Sequence, residues 1–234
     1  MHPPAHPHDP LQQLYPGVYW VQGSIRMGPG LRMNRNMVIV QNHNELTLIN
    51  PVRLSAQGLA SLEALGKVTH LLRLGDFHCL DDAFYLERYG CQFWAQPEQS
   101  TYPQPTPDHL FTDQIAPPLP DAAFFVFNTA TYPEAALLLK QHKLLITVDS
   151  VQYHANFRYF SGITRVVFKL LGFKQGINIG GPWRKRVTPK GGSLRADFDS
   201  LLALDFDALV AAHGQPLTAG AKAALRQEVE QVFK

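Results

Sequence analysis

The sequence predicts an α/β domain whose strands form sheets and whose helices cover the outer faces of those sheets. Two observations predict this fold class. Short runs of apolar and β-branched residues alternate with segments of helical periodicity, and this order occurs in both halves of the chain. With 45% apolar and 17% charged residues, the 234-residue chain can also bury one substantial core. We therefore expect one domain over residues 17–234.

The first half opens with a segment that has no hydrophobic period. Residues 1–16 contain five prolines and three histidines, a composition that predicts a flexible tail. Three extended runs separated by Gly, Pro and Asn then predict an antiparallel meander, at residues 18–21, 37–40 and 46–49. Leu59, Leu62 and Leu65 share one face of a short helix that ends at Gly66. A strand, a polar loop, a short helix and a strand follow, at residues 68–74, 75–82, 84–89 and around 93–94.

The second half repeats strands, polar turns and helices. Extended runs are predicted at residues 123–127, 135–139, 144–148 and 208–212. Helices are predicted at residues 154–171, at residues 194–204 and at the end of the chain, where Leu225, Val229 and Val232 form a buried stripe. Residues 172–192 are rich in Gly, Pro and cations, and this composition is typical of a long loop.

Charge and cysteine content exclude several classes of protein. A formal charge of +2 is too small to indicate a nucleic-acid or membrane partner, so we expect a small-molecule partner. No apolar stretch reaches the ~20 residues that cross a bilayer, and the first residues lack a secretory pattern, so we expect a cytoplasmic location. Cys79 and Cys91 are too few for a disulfide framework. Cys91 lies in an apolar run typical of the core, whereas Cys79 follows a histidine in a polar loop and could lie near a metal ion.

Three polar clusters each follow a predicted apolar strand. Asp76, His78, Asp81 and Asp82 follow the strand that ends at Leu74. The other two clusters consist of Asp149, after residues 144–148, and His213, after residues 208–212. If these strands are neighbours, the three loops meet at one sheet edge, where imidazole and carboxylate ligands would suit Zn²⁺, Fe or Mn²⁺.

At these positions the sequence resembles the metallo-β-lactamase superfamily, over nearly the whole chain. The resemblance is carried by residues 46–51, 75–82, 144–150 and 212–214. In that family they correspond to a strand ending in aspartate, an H-x-H-x-D-H loop, a strand leading to a metal-bridging aspartate, and a histidine before glycine. The resemblance implies a four-layer αββα sandwich with a dinuclear hydrolytic site.

The sequence also departs from the family pattern. Asn50 occupies the place of the first aspartate, and residues 127–131 contain no histidine where the family has one. The central loop keeps His78 alone, and two registers are possible. If His78 fills the first histidine place, Asp82 takes the aspartate place; if it fills the second, Asp76 replaces the first histidine and Asp81 the last. A complete dinuclear site is therefore not expected.

Two functions remain open. In the first, the protein is a mononuclear metal-dependent hydrolase that acts on a small ester, lactone or thioester. Its metal ligands would be His78, Asp149 and His213, and Asp81 or Asp82 would be a further ligand or the general base. In the second, the metal has been lost and the scaffold is a binding module for a ligand or a protein. These polar residues would then only link loops by hydrogen bonds.

Five further residues could line the substrate pocket. They are Asp76, Cys79, His154, Trp183 and Arg184. His154 is either a histidine that supports a metal ligand or faces the substrate, or an ordinary surface residue. Trp183 and Arg184 combine an indole with a guanidinium that could bind phosphate or carboxylate, although a solvated loop would have the same composition.

Overall fold

The structure is a computed structural model and describes residues 2–234. Its larger sheet contains seven strands in chain order. They are β1 (Gln12–Tyr15), β2 (Val18–Gly28), β3 (Leu31–Asn42), β4 (Glu45–Ile49), β5 (Lys67–Arg73), β6 (Gln92–Ala95) and β7 (His109–Leu110). The pairs from β1 to β4 are antiparallel, which confirms the predicted meander, and the pairs from β4 to β7 are parallel. Helices α1 (Ala56–Leu65) and α2 (Asp82–Tyr89) connect the first parallel strands.

A second sheet of four strands and a separate two-stranded sheet complete the β structure. The strands are β8 (Ala122–Val126), β9 (Ala135–Leu139), β10 (Leu144–Thr147), β11 (Val151–His154), β12 (Gly176–Ile179) and β13 (Ala208–Ala211). The remaining helices are α3 (Gly162–Leu170), α4 (Gly181–Val187), α5 (Arg195–Ala203) and α6 (Ala221–Val232). Strands β10 and β13 are parallel neighbours, so their carboxyl ends lie side by side. None of these helices has the length and apolar character needed to span a bilayer.

The two large sheets pack face to face and helices cover both outer faces. Side chains such as Leu72 from the larger sheet and Ile146 from the smaller sheet form the core between them. Helices α1 and α2 cover the outer face of the larger sheet, where Leu62 packs near Leu48. Helices α4, α5 and α6 cover the outer face of the smaller sheet with residues that include Trp183, Phe198 and Leu225. The predicted four-layer αββα sandwich is confirmed.

Strand β10 shows why the smaller sheet reads as continuous apolar runs in the sequence. Successive side chains of a strand point to opposite faces. Leu144 and Ile146 accordingly lie in the core between the sheets, whereas Leu145 packs beneath the helices. A strand that is covered on both faces needs apolar residues at every position.

The structure differs from the predicted flexible tail, of which it describes residues 2–16. Strand β1 pairs with β2, and His8 forms a bridge with Gly23. The buried Asp9 carboxylate accepts hydrogen bonds from Arg158 Nη2 at 2.6 Å and from Tyr159 Oη at 2.7 Å. The composition of the segment could not predict that it is ordered, because the partners of Asp9 lie about 150 residues away in sequence.

Residues 154–192 also differ from the predicted helix and loop. Val151–His154 is strand β11, and helix α3 begins only after Ser161, whose side chain accepts a hydrogen bond from Thr164 N and caps the helix. The predicted loop at residues 172–192 contains strand β12 and helix α4. Pro182 lies in the first turn of α4, where the missing N–H of proline costs no helical hydrogen bond.

Replacing Asp9 tests whether the N-terminal segment stabilises the domain. Asp9→Ala leaves the hydrogen-bonding groups of Arg158 and Tyr159 without their acceptor, so we expect a loss of about 1–3 kcal/mol in the free energy of unfolding. Urea unfolding measures this change, with the exposed Asp113→Ala as the matched control. Equal midpoints for the two variants would show that the segment does not stabilise the fold.

Candidate functional site

Three loops bring His78, Asp149 and His213 to one point at the edge of the sandwich. His78 follows β5 of the larger sheet, and the other two residues follow the parallel strands β10 and β13 of the smaller sheet. Their ligand atoms all lie within 4.8 Å of one another. This is the one group of three or more His, Cys, Asp and Glu side chains with metal-binding spacing within residues 2–234.

The separations within this triad match those around a single metal ion. His213 Nε2 lies 3.2 Å from His78 Nε2 and 3.3 Å from Asp149 Oδ1, and His78 Nε2 lies 3.4 Å from Asp149 Oδ2. Ligand atoms bound at about 2.0–2.2 Å to one tetrahedral zinc ion lie about 3.3–3.6 Å from each other. The donor set and its spacing therefore fit one divalent ion.

The backbone of β3 fixes the orientation of the His213 ring. His213 Nδ1 donates a hydrogen bond to the Asn34 carbonyl oxygen at 2.7 Å. Nδ1 therefore carries a proton, and Nε2 is the ring nitrogen that faces His78 and Asp149. A hydrogen bond of this kind on the second ring nitrogen is what orients histidine ligands in metal sites.

The next residue, Gly214, is held by a cluster of side-chain amides. Its carbonyl oxygen accepts hydrogen bonds from Gln22 Nε2 at 2.8 Å, Asn34 Nδ2 at 3.0 Å and Asn36 Nδ2 at 3.0 Å. Gly214 has a φ of 84°, and a Cβ here would lie 1.9 Å from the Tyr153 carbonyl oxygen. Only glycine fits this turn, which places His213 at the triad.

Neighbouring polar groups orient Asp149. Gln152 Nε2 donates a hydrogen bond to Asp149 Oδ1 at 3.3 Å, and the backbone amides of Asp149 and Ser150 donate to Glu134 Oε1. Burial opposes ionisation of Asp149, but the facing histidines outweigh it and hold the pKa of this carboxyl below its usual value. Burial, with Asp149 nearby, raises the pKa of Glu134 well above its usual value. Asp149 is therefore the ionised member of this carboxyl pair.

His78, the triad residue that follows β5 of the larger sheet, is buried. Burial lowers the pKa of His78, although Asp149 opposes the shift. The ring is consequently neutral near pH 7, and neutral imidazole is the form that binds metal ions.

The triad lies in a cavity of about 570 Å³ with mainly apolar walls. Met33, Phe168, Phe173 and Trp183 contribute to these walls. Asp149 is the one carboxylate among the described residues that line it, and Arg26, Arg35 and Arg186 are its cations. Of the predicted pocket residues, Cys79 and Trp183 therefore line this cavity. Burial raises the pKa of the Cys79 thiol to about 12, so Cys79 is not ionised at neutral pH.

The structure does not bring Asp81 and Asp82 to the triad. Asp81 Oδ2 pairs with Arg35 Nη1 at 3.0 Å, and Asp82 Oδ2 pairs with Arg73 Nε at 2.7 Å. Both carboxylates are buried, and neither lines the cavity. Each of these two carboxylates neutralises a buried arginine. This structural role differs from the predicted role of metal ligand or general base.

The other predicted pocket residues lie outside the cavity lining. Asp76 accepts hydrogen bonds from the backbone amides of Ser100 and Thr101 and so holds a neighbouring loop. His154 is fully buried and bonds to Gln152 Oε1 at 3.1 Å, so it reaches Asp149 only through Gln152. Arg184 lies beside the cavity and donates a hydrogen bond to the Val232 carbonyl oxygen.

Neither register of the central loop supplies a second set of ligands. Asp76, Asp81 and Asp82 are all engaged elsewhere, as described above. Asn50 has a φ of 52° and donates a hydrogen bond from Nδ2 to the Thr147 carbonyl oxygen at 3.1 Å, so it joins the two sheets. Asparagine tolerates this left-handed conformation better than most residues. Phe127 is buried beneath the helices, in the segment where the family has its middle histidine.

Several residues of the site were not predicted from the sequence. Asn34, Arg35 and Asn36 are consecutive polar residues buried inside β3, and Gln152 and Glu134 position Asp149. A polar triplet between the apolar residues of a strand is a signal that could have identified the first three. The other two lie at strand boundaries, where polar residues are common.

Comparison with known proteins identifies the fold. No protein-family model matches the sequence, and no curated protein matches it. Solved structures do match. A metallo-β-lactamase from Erythrobacter litoralis is 12% identical, with a TM-score of 0.61 over 94% of this chain and 92% of its own. The FIM-1 metallo-β-lactamase from Pseudomonas aeruginosa, in a mono-zinc form, is 13% identical, with a TM-score of 0.64 over 98% of both chains. The chain therefore has the metallo-β-lactamase fold, which confirms the predicted resemblance.

Asp82→Asn tests the structural role of this carboxylate. The substitution leaves the buried Arg73 without a counter-charge, so we expect the free energy of unfolding to fall by about 3 kcal/mol or more. Urea unfolding measures the loss, with the exposed Asp113→Asn as control. A variant of unchanged stability would contradict the structural role and return Asp82 to the candidate ligands.

His154→Phe tests the effect of burying a histidine on stability at acid pH. Burial, together with the nearby His213, lowers the pKa of His154 to about 4. The unfolded chain therefore binds a proton more readily than the native protein between about pH 6.5 and 4, and stability falls as the pH is lowered through this window. Between pH 7 and 5 this histidine should account for a loss of about 2 kcal/mol. Urea unfolding at both pH values should show a smaller loss in His154→Phe, and an equal loss would contradict the assignment.

Proposed function

We propose that this chain is a metal-dependent hydrolase with one metal ion, held by His78, Asp149 and His213, that acts on a small ester, lactone or thioester. The observation that carries the proposal is the convergence of two imidazole Nε2 atoms and one carboxylate at 3.2–3.4 Å from each other. The names of the structural neighbours, which are metallo-β-lactamases, agree with a metal-dependent activity.

The donor set favours a borderline divalent ion. Two imidazoles and one carboxylate suit Zn²⁺, Fe or Mn²⁺, and such a three-ligand set leaves a coordination position open. When bound, the ion would act as a Lewis acid on a carbonyl oxygen and would lower the pKa of water. The hydrogen bond from His213 Nδ1 to Asn34 and the contact of Gln152 with Asp149 keep these ligands in place before the ion arrives.

The cavity supports a substrate with an apolar acyl part. Its apolar walls would hold that part, while Arg35 lies beside His78 at the polar end. Asp81 and the Pro51 carbonyl oxygen fix the Arg35 guanidinium, so it can donate to a substrate oxygen with little rearrangement. Asp149 is the one carboxylate among the described residues that line the cavity, so Asp81 and Asp82, the expected general bases, have no place beside a bound substrate.

Metal analysis tests the ligand assignment. In a His2→Ala/His6→Ala background, which removes adventitious N-terminal ligands, we expect close to one equivalent of divalent metal by inductively coupled plasma mass spectrometry. His78→Ala, Asp149→Asn and His213→Ala should lose it, because each removes one of three ligands. Adding metal to the apoprotein should raise the unfolding temperature by roughly 5–10 °C at a hundredfold excess over Kd.

The exposed His43→Asn is the matched control and should keep the metal. Metal-loaded protein should hydrolyse para-nitrophenyl esters, and the three ligand variants should not. Absence of metal and of any thermal shift with divalent ions would contradict the metal site. Stoichiometric metal without hydrolysis of esters, lactones or thioesters would contradict the proposed reaction and leave a metal-binding module.

A further inference from the structure

Helix α3 turns most of its apolar side chains towards solvent. Ile163, Val166, Val167, Leu170 and Leu171 follow the spacing of an amphipathic stripe, which in a globular protein normally faces the core. Here Thr164 is the buried residue of the helix, whereas Leu170 is 82% exposed, Val166 60% and Ile163 59%. The apolar stripe of α3 is therefore an outer surface of the protein.

The hairpin between β2 and β3 extends this apolar surface. Ser161 Oγ donates a hydrogen bond to the Gly30 carbonyl oxygen, and Thr164 Oγ1 accepts one from Arg32 N, so the start of α3 is fixed to the hairpin. Met27, near the end of β2, is 63% exposed. Met27, Ile163, Val166, Leu170 and Leu171 together are called the apolar patch below. Several large apolar side chains exposed on one side of a globular protein usually mark an interaction site.

The chain around α3 has an extreme charge bias. Residues 155–192 contain eight Lys and Arg and no Asp or Glu. The rest of the sequence carries the other 13 of the 21 cationic residues and all 19 acidic ones, a net charge of −6. Two of the eight cations, Arg158 and Lys174, pair with Asp9 and Glu228. The small total charge of the protein thus hides a strongly basic segment.

Several of these cations adjoin the apolar patch. Lys169 is exposed on α3 next to Leu170, and Leu170 and Leu171 share a surface depression with Arg184 and Lys185 of α4. Met27 and Leu171 of the patch also line the cavity of the candidate site, so the patch borders its entrance. Exposed aliphatic side chains and unpaired cations therefore occupy the same surface.

We propose that this surface docks on an anionic phospholipid bilayer. Aliphatic side chains on one helix face would enter the interfacial region, and the surrounding cations would bind acidic headgroups, as in interfacial amphipathic helices. The charge also disfavours a second copy of the chain, because a symmetric contact would place the same cations opposite each other. Nucleic acid is a poorer match, since the patch offers no exposed aromatic ring for stacking.

This proposal replaces the expectation, drawn from the total charge, that no membrane partner exists. It does not depend on the proposed metal site, because none of the patch residues is a ligand. A docked molecule would turn the entrance of the apolar cavity towards the bilayer, which would let amphiphilic molecules enter directly from the lipid.

Vesicle co-sedimentation of the full chain tests the proposal. We expect binding to vesicles of equal parts phosphatidylcholine and phosphatidylglycerol, weak binding to phosphatidylcholine alone, and a marked loss between about 0.05 and 0.5 M salt. Leu170→Ser and Lys169→Glu should each weaken binding about tenfold or more, because they remove an inserting side chain and a headgroup contact respectively. Both side chains are exposed, and circular dichroism would verify that the variants fold.

Leu110→Ser and Lys140→Glu are the matched controls, since both residues are exposed and lie outside the patch. They should bind vesicles like the unmodified protein. Failure to bind the mixed vesicles would overturn the proposal, as would equal binding to neutral vesicles or unchanged binding by Leu170→Ser. A dimer in sedimentation velocity that Leu170→Ser dissociates, without vesicle binding, would assign the patch to a second copy instead.

Discussion

The candidate site depends on a polar connection between the two sheets. Strand β3 of the larger sheet contributes the Asn34 carbonyl oxygen to the His213 ring and two amide side chains to the Gly214 carbonyl oxygen. The Asn36 backbone amide also donates to the Ala212 carbonyl oxygen at 2.8 Å. Buried amides of this kind need partners, and the carbonyl partners at Ala212 and Gly214 directly follow β13 of the other sheet. The position of His213 is therefore set by how the sheets pack.

The acidic residues of the central loop make structural contacts away from the triad. Asp81 and Asp82 each neutralise a buried arginine, and Asp76 binds backbone amides of a neighbouring loop. Asp149 alone among the cavity-lining residues remains available as an anionic ligand. Arg26 and Arg186 line the cavity in addition to the neutralised Arg35, so a bound divalent ion would leave the site positively charged, and such a site attracts electron-rich carbonyl groups and anions.

Periodicity predicted most of the fold because the layers impose it. The meander, α1 and the strands of the smaller sheet have the apolar spacing that burial on one or two faces requires. The three residues of the triad were also predicted, since each follows an apolar strand. The ordered structure of the N-terminal segment and the strand β12 were not predicted. Both depend on contacts between residues distant in sequence, such as Asp9 with Arg158 and β11 with β12. The positioning role of Asn34 was missed for a similar reason, since its partner His213 lies 179 residues further along the chain.

The connection between β3 and the His213 turn also bears on folding cooperativity. Asn36 N and the Gly214 carbonyl oxygen can be paired only when both sheets have docked, so no smaller unit of the chain can assemble the triad. Local opening of the turn would expose several buried amides at once, which makes partial unfolding there costly compared with global unfolding. The amide proton of Asn36 should consequently be among the slowest to exchange with solvent, and the triad should persist until the sandwich itself comes apart.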